Sequence, residues 1–342
     1  MYKYDLMVYI GRFQPLHNGH IQTIRLALKD SRRLIILIGS HNAPTSIRNP
    51  WTTEERQTLI RESLSQEEYN RCLVAGLEDY LYSEQKWVKR IEEIVHGFRA
   101  IYGGLDSKIG ITGFDKDSTT YYLQLFPAWQ NELKPQIERV NATQIRECLF
   151  DSGTILTDLI PENVAKFLIE FRKTDRCKHL LDEYKYIKDY KESWANTPYP
   201  VTFNTVDIVY LRGTYVLLVK RKGYPGKGLW ALPGGFIHNN ETLLDAAKRE
   251  LKEETNIVFE DKHIIGTRTF DDPNRSARGR VITTAFYVSS SSNFVMNDAI
   301  AGDDAEEVKF VALSSLNSIR SSITEDHYHI IDYFCNLKKN EY

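Results

Sequence analysis

No apolar run in this chain approaches the roughly 20 residues needed to cross a bilayer. The N-terminal LMVYI breaks at once into a polar loop, so neither a membrane span nor a secretory leader is expected. Cysteine is scarce. The four thiols at 72, 148, 177 and 335 lie far apart with no metal or redox spacing, which excludes a disulfide scaffold and fits a reducing, cytoplasmic setting. Neither charge sign is in excess: 44 Lys and Arg face 46 Asp and Glu, for a net −2. A nucleic-acid partner therefore has no electrostatic support, although small anions held by a few local groups remain open. What is present is ordinary for a folded protein, with 42% hydrophobic and 26% charged residues. The 342 residues exceed one comfortable core and suggest about two domains.

The pattern along the chain has two unlike halves. Residues 4–10 read as a buried strand, 18–30 as a helix with Ile21, Ile24 and Leu28 on one face, and 33–40 as a second buried strand. That βαβ opening predicts a parallel sheet. The alternation continues with a helix near 53–64, a strand at 72–76, a helix over 85–96 and a strand at 108–113. From 161 to 194 the text is helical and charged, and prolines 198 and 200 punctuate it. The expected division is 1–172, a helical connection over 173–200, and 201–342, where strands such as TVDIVYL and TYVLLVKR precede a helix at 242–255.

The loop after the first strand, GRFQPLHNGH, joins two glycines, a proline, an arginine and two histidines. A glycine-bearing loop between a parallel strand and a helix N-terminus presents backbone N–H groups to anions, and the helix dipole adds roughly half a positive charge. His17 and His20 stand where imidazoles can bond phosphate oxygens, and Gly19 permits close approach.

This string resembles the signature of the nucleotidylyltransferase superfamily, in its archaeal-type nicotinamide mononucleotide adenylyltransferase branch. The His-x-Gly-His element is matched by His17, Gly19 and His20, and the second element, Thr-x-x-Arg at a helix start, by Thr143 and Arg146 in VNATQIRE. Asn141 stands where serine is frequent and keeps a capping group. WTTEER and KWVKRI extend the likeness, which covers about the first 170 residues. The resemblance implies an ATP site of Gly11, Arg12, Phe13, His17, His20, Thr143 and Arg146, with His17, His20 and Arg146 acting on the phosphates, Mg²⁺ as cofactor, and Trp87 against the nicotinamide ring. Trp87 fits the core face of its helix equally well. Arg56 either binds the acceptor phosphate or pairs with Glu54 and Glu55.

From Gly235 the text matches the Nudix box, Gly-x5-Glu-x7-Arg-Glu-x-x-Glu-Glu-x-Gly, at all but one position. Offsets of 0, 3 and 4 place Glu250, Glu253 and Glu254 on one helix face beside an apolar stripe of Leu244, Ala247 and Leu251. Such a carboxylate cluster is a divalent-cation site. The resemblance implies that Glu250, Glu253, Glu254 and the Gly235 carbonyl hold Mg²⁺ or Mn²⁺, with Glu253 catalytic, Arg249 orienting a glutamate and Glu241 fixing the loop. The departure is Asn256, where glycine is usual. Asparagine is the next most tolerant residue at a left-handed helix end. Glu306, Glu307 and Glu325 are candidates for a base outside the box. Pro273, sixteen positions beyond Ile257, has the placement associated with ADP-ribose pyrophosphatases. Arg249, Pro273 and Arg275 are then the expected ADP-ribose contacts, with Arg278 and Arg280 also suited to phosphate.

Together the resemblances imply an α/β protein: a Rossmann-like nucleotidylyltransferase sheet followed by a Nudix α/β/α sandwich. They imply a bifunctional enzyme that makes NAD from ATP and nicotinamide mononucleotide and cleaves ADP-ribose. The alternatives are an adenylyltransferase whose Nudix half senses ADP-ribose or NAD without turnover, and a hydrolase of another dinucleotide. The intact carboxylates oppose the sensor, as does a C-terminus too short and too little basic for a DNA-reading domain. Oligomeric state is not legible in the sequence.

Overall fold

Strand β1, Tyr4–Gly11, is buried along most of its length because it pairs on both sides, with β2 (Ser31–Ile38) and with β4 (Ile109–Phe114), in parallel. A central parallel strand has no solvent face, so its sequence runs apolar without alternation. The computed structural model describes residues 2–104, 106–114, 118–134, 140–290, 299–302 and 305–337. Two compact units divide it, Met1–Leu181 and Asp182–Tyr342.

In the first unit β3 (Cys72–Gly76) and β5 (Gln130–Lys134) complete a five-stranded parallel sheet of order β3-β2-β1-β4-β5. The order reverses between β1 and β4. In open parallel sheets the crevice beyond the carboxyl ends of the strands at such a reversal is where ligands bind. Helices α1 (Asn18–Asp30), α2 (Thr53–Glu62), α3 (Gln66–Asn70), α4 (Glu84–Tyr102), α5 (Ala142–Asp151) and α6 (Glu162–Phe171) surround the sheet. One core joins Leu6, Val8, Ile35, Leu37 and Ile111 of the sheet to Ile91 and Val95 of α4.

Helix α7, Asp175–Ser193, contains the division between the units. Its portion from Asp182 packs into the second unit, where buried Glu183 accepts the Gly226 N–H at 2.9 Å. Strands β6 (Thr202–Arg212), β7 (Tyr215–Arg221), β8 (Trp230–Ala231), β9 (Gly234–Phe236), β10 (Ile264–Phe270), β11 (Arg280–Ser290) and β12 (Ala305–Ala312) form one mixed sheet. β11 and β6 run parallel, and the other pairs are antiparallel. Helix α8 (Leu243–Thr255) lays Ala246, Ala247 and Leu251 against Val206, Ile208 and Tyr210 of β6. Helix α9 (His327–Leu337) also packs on β6, and its Phe334 stacks on Tyr287 of β11 with ring centroids 5.3 Å apart. The sheet thus has a helix on each face, as the Nudix reading requires. Among the described residues no helix is long and apolar enough to cross a membrane.

α8 ends at Asn256, whose φ of 57° is left-handed and whose N–H reaches the Lys252 carbonyl. Asn256→Gly is expected to leave stability nearly unchanged. Asn256→Val should lose about 1–2 kcal/mol, because a β-branched apolar side chain clashes there without the local hydrogen bonding that lets asparagine adopt the left-handed region. Chemical denaturation of the two variants compares them, and equal stabilities would refute the strain argument.

Candidate active sites

The loop from Gly11 to His17 is locked from several directions. Phe13 adopts a left-handed φ of 52° and tucks its ring back beneath Gly11, where a Cβ would come within 2.8 Å of the ring. A larger residue at position 11 would have to displace the buried Phe13 ring. Gln14 is buried, donates from Nε2 to the Trp51 carbonyl at 2.9 Å and accepts the Trp51 N–H at 3.2 Å. Helix α1 then begins with a capping box made of two imidazoles. The His17 ring accepts the His20 N–H at 3.4 Å, and the His20 ring accepts the His17 N–H at 3.2 Å. Because both Nδ1 atoms accept, each neutral ring carries its proton on Nε2. The rings stack with centroids 3.5 Å apart, and Phe13 meets His20 edge-on at 4.8 Å.

Arg146 of α5 joins this loop from the other side of the chain. Its guanidinium, largely buried, donates to the Gln14 carbonyl at 2.6 Å and to the Thr143 hydroxyl at 3.2 Å. Asn141 caps the same helix by accepting the Thr143 N–H at 2.9 Å. Burial, followed by repulsion from Arg12, holds Arg146 down at about 10, and Arg48 adds to that repulsion. Guanidinium groups crowded beside a helix N-terminus and a histidine pair form a site for a polyanion.

In the second unit, Arg249 of α8 organises the acidic face. It donates to both oxygens of Glu241 at 2.6 and 2.9 Å, to Glu250 at 2.7 Å, to Glu253 at 3.0 Å and to the Phe236 carbonyl at 3.1 Å. Glu241 also accepts the His238 N–H at 2.7 Å, and its carboxyl is held down near 2, chiefly by Arg249. Glu254 faces inward. Burial pushes its carboxyl up to about 8, against the opposing Gly234 N–H that it accepts at 3.0 Å. Burial also raises Glu250. A Cβ on Gly235 would lie 2.5 Å from a Glu250 oxygen, so glycine lets the strand press against the carboxylates. Arg249, Glu250, Glu253, Glu254 and Gly235 line a cleft of about 500 Å³ together with Arg221, Lys222, His238 and Arg278.

A family model described as cytidylyltransferase-like matches residues 8–147, and one described as NUDIX domain matches 201–334. A nicotinamide/nicotinic acid mononucleotide adenylyltransferase of Acinetobacter baylyi is 38% identical over 188 residues, covering 54% of this chain and 96% of that protein. An ADP-ribose pyrophosphatase of Methanocaldococcus jannaschii is 38% identical over 133 residues, covering 39% of this chain and 73% of that protein. A Francisella tularensis structure described as a bifunctional NMN adenylyltransferase/ADP ribose pyrophosphatase complexed with AMP and a Mn ion superposes with a TM-score of 0.91. It is 34% identical and covers 97% of this chain and 99% of its own. The chain belongs to this bifunctional family.

Against that family background the remaining residues sort themselves. Arg56 is buried and donates to the carbonyls of Arg12 at 2.7 Å, Gly39 at 2.6 Å, Ser40 at 3.2 Å and Thr52 at 3.1 Å, while Glu55 pairs with Arg176. It ties together the turns that follow β1 and β2. Trp87 is partly buried, edge-on to Tyr122 at 6.0 Å and against Phe126 at 6.4 Å, so its helix does turn it toward the core. Pro273 is exposed at the second position of a turn closed by the Arg275 N–H on the Asp272 carbonyl, at 3.1 Å. Arg275 is buried in an ion pair. Its guanidinium, 3% exposed, makes a two-pronged pair with Asp326 at 2.9 Å and lies 3.5 Å from Asp207.

Of the three candidate bases, Glu306 pairs with Lys220 on the exposed edge strand and Glu307 is exposed beside it. Glu325 has a left-handed φ of 46° and accepts the Ser276 hydroxyl at 2.7 Å. Sequence reasoning missed Arg48, Arg221, Lys222 and His238. Nothing local distinguishes a basic residue that folding brings to such a cleft from one left in solvent.

Proposed function

We infer that each unit performs one of the family's two reactions. The first transfers AMP from ATP to nicotinamide mononucleotide, giving NAD and pyrophosphate, and the second hydrolyses ADP-ribose to AMP and ribose 5-phosphate. What supports this reading is that each unit holds its own set of polar groups: the stacked histidines with Arg146 in one, the Arg249-clamped carboxylates in the other.

In adenylyl transfer the mononucleotide phosphate attacks the α-phosphorus of ATP, and negative charge gathers on the bridging and leaving oxygens. The chain has to position the reactants and meet that charge. His17 and His20 bind the triphosphate, Arg146 and Thr143 hold its β and γ oxygens, and Gly11, Arg12 and Phe13 shape the ATP loop. Trp87, only partly buried, offers ring surface to the nicotinamide. Mg²⁺ would arrive largely on the substrate phosphates, adding positive charge there.

In the second unit the donor chemistry fits a hard divalent cation: all-oxygen ligands, with two carboxylates driven upward in pKa chiefly by burial and further by acidic neighbours. Among the described residues no three such groups already converge on one point, because Arg249 holds Glu250 and Glu253. Glu250, Glu253, Glu254 and the Gly235 carbonyl would hold Mg²⁺ or Mn²⁺, which when bound activates water and offsets diphosphate charge. Arg249 sets the carboxylate positions, and Glu241 anchors Arg249.

Glu254 supplies a pH test of that cleft. Its folded pKa, about 8, lies above its ordinary 4.5, so the folded state retains a proton that the unfolded state releases. Metal-free protein should therefore lose stability as pH rises through that window. Added Mn²⁺ should restore it by replacing the proton. Thermal unfolding at pH 5 and pH 8, with and without Mn²⁺, measures this, and a Tm unaffected by pH or metal would contradict it. The function itself is tested by incubating the chain with ATP and nicotinamide mononucleotide, and separately with ADP-ribose and Mg²⁺ or Mn²⁺, and identifying products. Absence of NAD or of AMP would remove the corresponding reaction.

A further inference from the structure

Beside the carboxylate cleft lies a second hollow of about 360 Å³, lined by Trp194, Tyr199 and Phe203 with Lys191, Arg278 and Arg280. Trp194 is 44% and Tyr199 79% exposed, and Trp194 stands edge-on to Phe203 at 5.4 Å. Single exposed aromatics need no explanation, but a converging set beside a catalytic cleft does. The two hollows share a wall. Arg278 lines both, its guanidinium lies 5.1 Å from the centre of the Phe236 ring, and Phe236 packs edge-on against Phe203 at 5.8 Å.

We propose that this aromatic hollow binds the adenine of ADP-ribose while the diphosphate lies over the carboxylates. The proposal rests on the hydrolase reading above and gives the substrate an orientation. ADP-ribose has one flat π group, its base, separated from the diphosphate by a single ribose. The hollow has the matching order: aromatic faces outermost, Arg278 between, and the carboxylate cleft beyond. Aromatic faces stack any nucleobase, and the cationic rim suits the adjoining phosphate. Trp194 and Tyr199 come from the segment before residue 201, outside both stretches that match the family models. Base recognition is thus supplied by the part of the second unit that precedes the Nudix stretch rather than by the Nudix box.

The test compares wild type, Trp194→Ala, Trp194→Phe and Tyr199→Ala in the full chain with Mn²⁺. Trp194→Ala should raise the KM for ADP-ribose about 10- to 100-fold with kcat little changed, from the loss of one stacking face. Trp194→Phe should recover most of it. Inhibition by AMP, which keeps the base, should weaken in parallel, and inhibition by ribose 5-phosphate should not. Tyr199→Ala, at a largely exposed side chain, should shift KM and AMP inhibition in the same direction, and a melting curve of each preparation reports that the chain is folded. Unchanged KM and AMP inhibition in both alanine variants would overturn the proposal. A wild type that fails to cleave ADP-ribose would overturn the hydrolase reading instead.

Discussion

In the full chain, Glu253→Gln is expected to lower ADP-ribose hydrolysis by orders of magnitude and leave NAD synthesis at the wild-type rate. His20→Ala should do the reverse. Glu253 is 59% exposed and bonded to Arg249, which keeps its bonds to Glu241 and Glu250 when the carboxylate becomes an amide. The fold should therefore survive while one metal-binding charge disappears. His20 has two tasks, since its ring accepts the His17 N–H at the start of α1 and, in the proposed reaction, binds the triphosphate. Losing the cap costs about 1 kcal/mol of helix stability. Losing a donor aimed at transition-state charge costs about 10²–10³ in rate. Product analysis of both reactions, with a melting curve for each variant, separates the two effects. If Glu253→Gln abolished both activities in a folded protein, the two sites would have to be coupled.

Replacing Arg56 by leucine should destabilise the first unit by about 3–5 kcal/mol, because several buried carbonyls lose their donor at once. The guanidinium makes five hydrogen bonds, to four backbone carbonyls and the Thr53 hydroxyl. Burial lowers its pKa to about 10, which leaves it charged at neutral pH. NAD synthesis should fall with stability, because the carbonyls of Arg12, Gly39 and Ser40 belong to the turns that frame the ATP loop. Arg56→Lys keeps the charge without the planar fork and should be intermediate. Urea unfolding together with steady-state kinetics decides the matter. An unchanged unfolding midpoint with a raised KM for nicotinamide mononucleotide would instead make Arg56 a substrate ligand.

Both family motifs were legible before any folding was considered because each is local. His17 and His20 sit within one turn of α1, and Arg249, Glu250, Glu253 and Glu254 within about one turn and a half of α8. The 3.6-residue repeat alone puts such groups on one face. The alternation of apolar strands and amphipathic helices likewise announced the parallel sheet, since buried parallel strands need uninterrupted apolar runs.

The segment DDPNRSARGR shows where that legibility stops. Its three arginines are equivalent as text, yet folding gives them different tasks. Arg275 is buried on Asp326, 51 residues further on, Arg280 donates to the Asp271 carbonyl, and Arg278 lines the cleft. A buried cation needs a partner, and that partner is chosen by which loops the sheet brings together. Arg56 and Trp194 follow the same rule. Helical pattern placed Arg56 on α2, but the carbonyls that claim it, like the hollow that Trp194 lines, exist only when distant strands and turns meet. The sequence by itself determined the chemistry whose groups share one helix or one loop, and the tertiary structure decided every role that depends on a partner far along the chain.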